Sequence, residues 1–299
     1  TQARAGLLAK EDEPEPATGL VRAVVLKVQT RSARVRFFGE PEEVTLRTSS
    51  AWSLVPGHVV EVHLAKRWAF RGHAYASGVV ARTFIDVAVL DLQPLPLAPI
   101  GEMDLRAIHE PFDGEDPYAP VWLAHTRRPR PAFEFHDIAW SGRRAFEAGD
   151  PEACPVDDAI AMKEMGDHAS ARALLMEELH EDLRYLDAHV HLGNMDFDHS
   201  PHRALAHYEV AVHIGGLSLP DDAALLLPGV CITNRPYHRA LHGYGLTLWR
   251  LERRQEASAT FDRLLFLDPS DGIGARFARL ALAEGLAWEQ WRDGWTTSA

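Results

Sequence analysis

Cysteine is scarce in this sequence of 299 residues: Cys154 and Cys231 are the two present, too few for a disulfide framework. Long apolar runs are missing too. None approaches the ~18–20 residues of a bilayer-spanning helix, so the cytoplasm is the default expectation. The start, Thr1-Gln2-Ala3-Arg4, has neither an initiator Met nor an apolar core, so no signal peptide is expected, with a removed leader left open. A Gly-x-x-x-x-Gly-Lys phosphate loop and a Gly-x-Ser-x-Gly nucleophile elbow are both absent, and Gly272-Ile273-Gly274 ends too soon for a dinucleotide fingerprint.

Metal chemistry also lacks its pattern. Seven histidines (His180, His189, His191, His199, His202, His207, His213) fall in one stretch, but His189 and His191 are two apart and point to different helix faces. Glu177-x-x-His180 has no second copy to complete a di-metal site, and no His-Glu-x-x-His occurs. Neither cysteine has a His–acid pair beside it in sequence, so both read as small buried hydrophobes. The expectation is a protein without catalytic residues, cofactor or metal.

What is present is an uneven distribution of charge. Residues 20–85 hold ten basic and four acidic residues, a balance of +6, whereas the whole chain carries −12. Residues 1–19 contribute −2, which leaves −16 for residues 86–299. Such asymmetry points to two domains with different partners.

The hydrophobic period divides the chain in the same way. Residues 1–19, with Glu11-Asp12-Glu13-Pro14-Glu15-Pro16, have little to bury and read as a flexible leader. Val21–Val28, Ala33–Phe38, Glu43–Arg47, Val59–Leu64 and Ala74–Val80 are short runs rich in Val and aromatics, several with strict alternation. Five such strands predict a small basic β-barrel over 20–90. Eight prolines between 91 and 131 predict an extended connector over 91–137, and a helical period follows to the end. The fold class is therefore α+β with two domains: an N-terminal small β-barrel and a C-terminal all-α domain over 138–299.

Residues 237–270 carry the strongest pattern. Leu241, Tyr244, Leu248 and Leu251 share one helical face, and Arg253-Arg254-Gln255-Glu256 breaks the run. A second helix follows with Ala257, Phe261, Leu264 and Leu265, and Pro269 stops it. This segment resembles a tetratricopeptide (TPR) repeat, a helix–turn–helix of about 34 residues with small residues at the crossing. Gly245, Ala257, Phe261 and Pro269 fall at the family's positions. A second copy matches Leu192-Gly193, Ala204, Tyr208 and Ala211, and a degenerate third runs through Ala159, Gly166-Asp167, Ala171, Leu175 and Leu179. Residues 274–291 would cap the stack. Gly216–Arg235, with the apolar Leu225-Leu226-Leu227-Pro228-Gly229, is longer than the repeat allows and either interrupts the groove or lines it.

The TPR resemblance implies a concave face lined by first helices. Transferred position by position, that face takes Asp187, Val190, Asn194 and Phe197 from one repeat and Arg239, His242, Leu246, Trp249 and Arg250 from the next. It would hold a protein or peptide partner. In Thr233-Asn234-Arg235-Pro236, Asn or Thr reads as a helix cap and Pro as a first-turn residue.

The Val-Pro-Gly-His-Val-Val-Glu-Val run at 55–62 is similar to a segment of small OB or S1-like barrels. That resemblance makes nucleic acid the alternative partner, held by Arg34, Arg36, Lys66, Arg67, Trp68 and Arg71 through phosphate neutralisation and base stacking. The same aromatics can equally be barrel core, and the same cations can bind the acidic repeats.

Overall fold

In a computed structural model of the chain, the described residues are 15–16, 19–108, 125–126, 128–149, 154–220 and 224–296. Residues 109–124 of the expected connector, and the leader apart from Glu15, Pro16 and Gly19, lie outside them. The chain divides into two compact units, Thr1–Asp86 and Val87–Ala299.

The first unit is a closed barrel of five strands: β1 (Leu20–Gln29), β2 (Ser32–Phe37), β3 (Glu43–Arg47), β4 (Val59–Phe70) and β5 (His73–Phe84). The order around the barrel is β1-β2-β3-β5-β4 and back to β1, antiparallel except for the parallel β3–β5 pair. Alternation fills the interior: Ala33, Val35 and Phe37, then Val44 and Leu46, then Val60, Val62 and Leu64, all buried. Val55-Pro56-Gly57-His58 makes the entry to β4. Gly57 sits at φ +91°, where a side chain would be strained, and its N–H donates to Val25 O at 2.8 Å. Buried His58 has its pKa pushed down to about 4 by desolvation, and the neutral ring accepts the Val55 N–H on Nδ1 at 3.2 Å.

Strands β4 and β5 run past the ends anticipated from alternation, and the reason is a bulge. Leu64 pairs with Gly78 but Lys66 pairs with Ser77, so Ala65 is an extra residue. Val60, Val62 and Leu64 point inward before it; Lys66 and Trp68 point outward after it. Gly78 is required at this crossing, since a Cβ there would stand 2.5 Å from the His63 carbonyl oxygen. Glu15–Pro16, expected to be mobile leader, pairs along β4 opposite Arg67 and Lys66.

In the second unit the proline-rich segment is not simply extended. Leu97–Met103 (β6) and Arg130–Phe135 (β7) form a two-stranded antiparallel ribbon, in which Pro99 and Pro131 are accommodated because few ladder donors are needed. The 225–229 insertion extends this ribbon: Leu226 N–H donates to Pro131 O at 2.8 Å and Phe133 N–H to Leu226 O at 3.0 Å. Leu225, Leu226 and Leu227 are buried.

Among the described residues eight helices follow from residue 155: α1 (Pro155–Glu164), α2 (His168–Glu181), α3 (Leu186–Asp196), α4 (Pro201–Gly216), α5 (Arg235–Arg250), α6 (Arg254–Leu267), α7 (Ala275–Ala283) and α8 (Trp288–Thr296). From α1 to α7 consecutive helices pack on one another, whereas α8 packs on α5. A Cβ on Gly245 of α5 would stand 2.7 Å from the Phe261 ring of α6, so glycine sets that approach. Tyr208 of α4 lies between Gly193 of α3 and Gly243 of α5 in the same way.

Asn234 departs from its expected role. Its side chain does not cap α5. Instead Oδ1 accepts the Phe135 N–H at 3.0 Å, and Nδ2 donates to Phe133 O at 3.0 Å and Pro228 O at 3.1 Å. It therefore ties β7 to the insertion, while Pro236 does occupy the first turn of α5. No described helix is long and apolar enough to cross a membrane.

Candidate functional site

Helical spacing brings two rows of side chains to one trough. Val190, Asn194 and Phe197 run along α3 and its end, and Arg239, His242 and Leu246 along α5. Between them lies a hollow of about 330 Å³, floored by Tyr208 and Gly243 and bounded by Asp198 and Ile273. Gly243 lets the Tyr208 ring lie against α5, since a Cβ there would stand 2.5 Å from the ring's Cζ.

The polar groups of the trough are held from behind. Tyr208 Oη donates to Asn194 Oδ1 at 2.6 Å, which orients the amide and leaves its two hydrogens for a ligand. Arg239 donates through Nε and Nη2 to Asp187 Oδ1 at 3.2 and 2.7 Å, and its guanidinium lies over the Trp140 ring at 5.2 Å. Asp187, at 2% exposure, is therefore beneath the trough and positions Arg239 instead of meeting a ligand. Desolvation pushes its carboxyl pKa up, with Arg239 opposing. Burial pushes His242 down to about 4, so its ring is neutral.

Arg250 braces one end. Its Nη1 donates to Phe197 O at 2.6 Å, its Nη2 to Asp198 O at 3.1 Å, and its charge lies 5.3 Å from the centre of the Phe197 ring. Trp249 is not on the groove at all. It is fully buried, with ring centroids 5.8 Å from Trp288 and 5.2 Å from Trp291 of α8. Transfer from repeat positions placed it wrongly because the last helix covers that face of α5.

Two further hollows continue the trough. One of about 500 Å³ shares Asn194 and Asp198 and adds Lys163, His168 and Arg172. The other, of about 390 Å³, shares Arg239 and Ile273 and adds Arg235, His238 and Asp268. Sequence reasoning missed His238, Asp268 and Ile273. The signal available was Arg235, His238 and Arg239 at i, i+3 and i+4 after a proline-marked helix start.

The barrel residues divide into two groups. On the outer face, Trp68 stacks on its cross-strand partner Tyr75, centroids 5.5 Å apart and planes within 11°. Arg47 lies 5.5 Å from both rings, and Lys66 lies 5.3 Å from Trp68. Arg34 and Arg36 alternate outward on β2, where Arg34 donates to Thr45 Oγ1 at 3.1 Å. Arg67 faces the other way: it grips Glu40 with two bonds of 2.9 and 2.8 Å and covers the Phe37 ring at 4.4 Å, which is a structural role. Arg71 is exposed at the β4–β5 turn with φ +50° and lies over Phe70 at 5.2 Å.

Among the described residues, no three His, Cys, Asp or Glu side chains are placed to hold a metal ion. Compared with protein-family models, curated proteins and solved structures, the chain matches none of them.

Proposed function

We propose that the helical unit is a TPR-like, non-catalytic scaffold that holds an extended peptide of a partner protein in the trough between α3 and α5. The observation that carries this reading is the trough itself. First helices of successive pairs line it, its middle is apolar (Val190, Phe197, Leu246), and an amide donor and a guanidinium stand along it. A peptide backbone offers carbonyls to Asn194 and Arg239 at intervals, and its side chains fill the apolar middle. Pre-positioning by Tyr208 and Asp187 lowers the ordering cost of binding.

The test is selection of peptides from a random display library on the full chain. Enriched peptides are expected to lose at least about tenfold in affinity for Leu246→Glu, which puts a charge into the apolar middle. Equal binding to the variant removes the trough from the account.

A second reading concerns the closed five-strand barrel with its one parallel pair, and rests on the resemblance of its 55–62 segment to OB or S1-like barrels. The stacked Trp68–Tyr75 pair flanked by Arg47 and Lys66 favours single-stranded nucleic acid, which needs flat π-surfaces beside cations. Titration with a single-stranded oligonucleotide is expected to quench tryptophan fluorescence in a salt-dependent manner. Arg47→Glu with Lys66→Glu is expected to abolish that response; an unchanged response sinks the reading.

A further inference from the structure

The hollow of about 390 Å³ at the start of α5 adjoins the peptide trough and carries polar groups of its own. Arg235, His238 and Arg239 occupy one face of the first turns of α5. Asp268 and Ile273 come from the α6–α7 connection, and Gly229 comes from the insertion. Gly229 lets the insertion close over Asp268, since a Cβ there would stand 2.5 Å from Asp268 Oδ2.

His238 is the telling residue. It is 4% exposed, it lines the hollow, and its Nε2 has no hydrogen-bond partner among the described residues. Buried polar atoms are rarely left in that state unless something else fills the need. Its Nδ1 stands 3.8 Å from Asp268 Oδ2, and the backbone of Leu227 hydrogen-bonds the ring. Desolvation pushes the ring pKa down, which keeps it neutral. With the proton on Nδ1, Nε2 is a bare acceptor, so a ligand must bring a donor to it.

Formal charge then narrows the ligand. Two cations line the hollow, Arg235 and Arg239. Two carboxylates answer them: Asp268 within the hollow, and Asp187 bonded to Arg239 at 2.7 Å. A phosphate or other dianion would add uncompensated negative charge to a balanced set. A net-neutral molecule with a carboxylate at one end and a charged donor at the other would not.

We propose that this hollow binds a free α-amino acid as its zwitterion. Its carboxylate faces Arg235 and Arg239, and its ammonium donates to His238 Nε2 and Asp268. Among the described residues Arg235 donates through Nε to Gly229 O at 3.0 Å, and its terminal amino groups serve the carboxylate. The hollow is large enough for a molecule of that size and shares Arg239 and Ile273 with the peptide trough. Binding here does not depend on a peptide in the trough.

Calorimetric titration of the full chain with each of the twenty common L-amino acids tests this, followed by the N-acetyl and C-amide derivatives of any that bind, and inorganic phosphate. At least one free amino acid is expected to bind, and blocking either end is expected to weaken it about tenfold or more, the loss of one charged hydrogen bond. Arg235→Gln alters an exposed residue, and a similar loss is expected. His238→Phe removes the acceptor and is expected to weaken the free amino acid while leaving the N-acetyl derivative, which brings no ammonium, unchanged. Absence of binding by all twenty overturns the proposal. So does an N-acetyl derivative or phosphate that binds as tightly as the free amino acid, since that describes a simple anion site.

Discussion

Asp196→Ala is expected to destabilise the helical unit by about 3 kcal/mol, the low end of the cost of breaking a buried ion pair. Asp196 is 2% exposed and stands at the end of α3, where the helix dipole disfavours a carboxylate. Two guanidiniums from neighbouring helices reverse that. Arg172 of α2 donates to Oδ1 at 2.5 Å and Oδ2 at 3.3 Å, and Arg203 of α4 donates to the same two oxygens at 2.5 and 2.7 Å. The carboxylate therefore joins three helices. Without it, two cations stay crowded together, although each is more than a quarter exposed and reaches water, which holds the loss to the low end. Thermal unfolding should fall by about 10 °C, scaled for a unit of this size. A shift within about 1 °C would mean that the triad is ornamental.

Gly243→Val is expected to cost about as much, for a steric reason. A Cβ at Gly243 would stand 2.5 Å from Tyr208 Cζ, and the ring is also in close contact with Gly193, where a Cβ would stand 2.8 Å from the same atom. The Tyr208 hydroxyl is also committed to Asn194, so displacing the ring misplaces the trough's amide. Overpacking of this kind costs about 1–3 kcal/mol, and a β-branched residue is at the upper end. Gly243→Val combined with Tyr208→Leu should be less destabilised than the sum of the two single changes; strict additivity would show that the glycine and the ring are not in conflict.

The periodicities that make these contacts were legible in the sequence, but the exceptions to them were not. Alternation located all five barrel strands, yet β4 seemed to end at Leu64 because the bulge at Ala65 inverts the pattern. That same inversion puts Trp68 and Lys66 outside and leaves Arg67 to cover Phe37. The 3.6-residue period found the helix pairs, and Gly245, Ala257 and Phe261 pack as helix-crossing residues should. Proline density concealed the β6–β7 ribbon, because it marks where a long ladder cannot form and is silent about a two-stranded one.

Within the trough, spacing identified the α3 and α5 rows but could not separate a surface residue from one that a later helix covers. Trp249 and Leu246 are three apart on the same helix; α8 buries the first, while the second lines the hollow. Asp187 and Arg239 were both legible as groove positions. Their pairing, which turns one into a support for the other, depends on a contact across 52 residues. The His238–Asp268 pair likewise joins segments that no local pattern relates.

The most direct test of the central claim is photo-crosslinking of a library-selected peptide carrying one benzophenone side chain to the full chain, with the attachment sites read by mass spectrometry. Attachment to Phe197, Leu246 or Ile273 is the result that a peptide lying in the trough requires. Attachment confined to the barrel, or to helix faces away from α3 and α5, would contradict it.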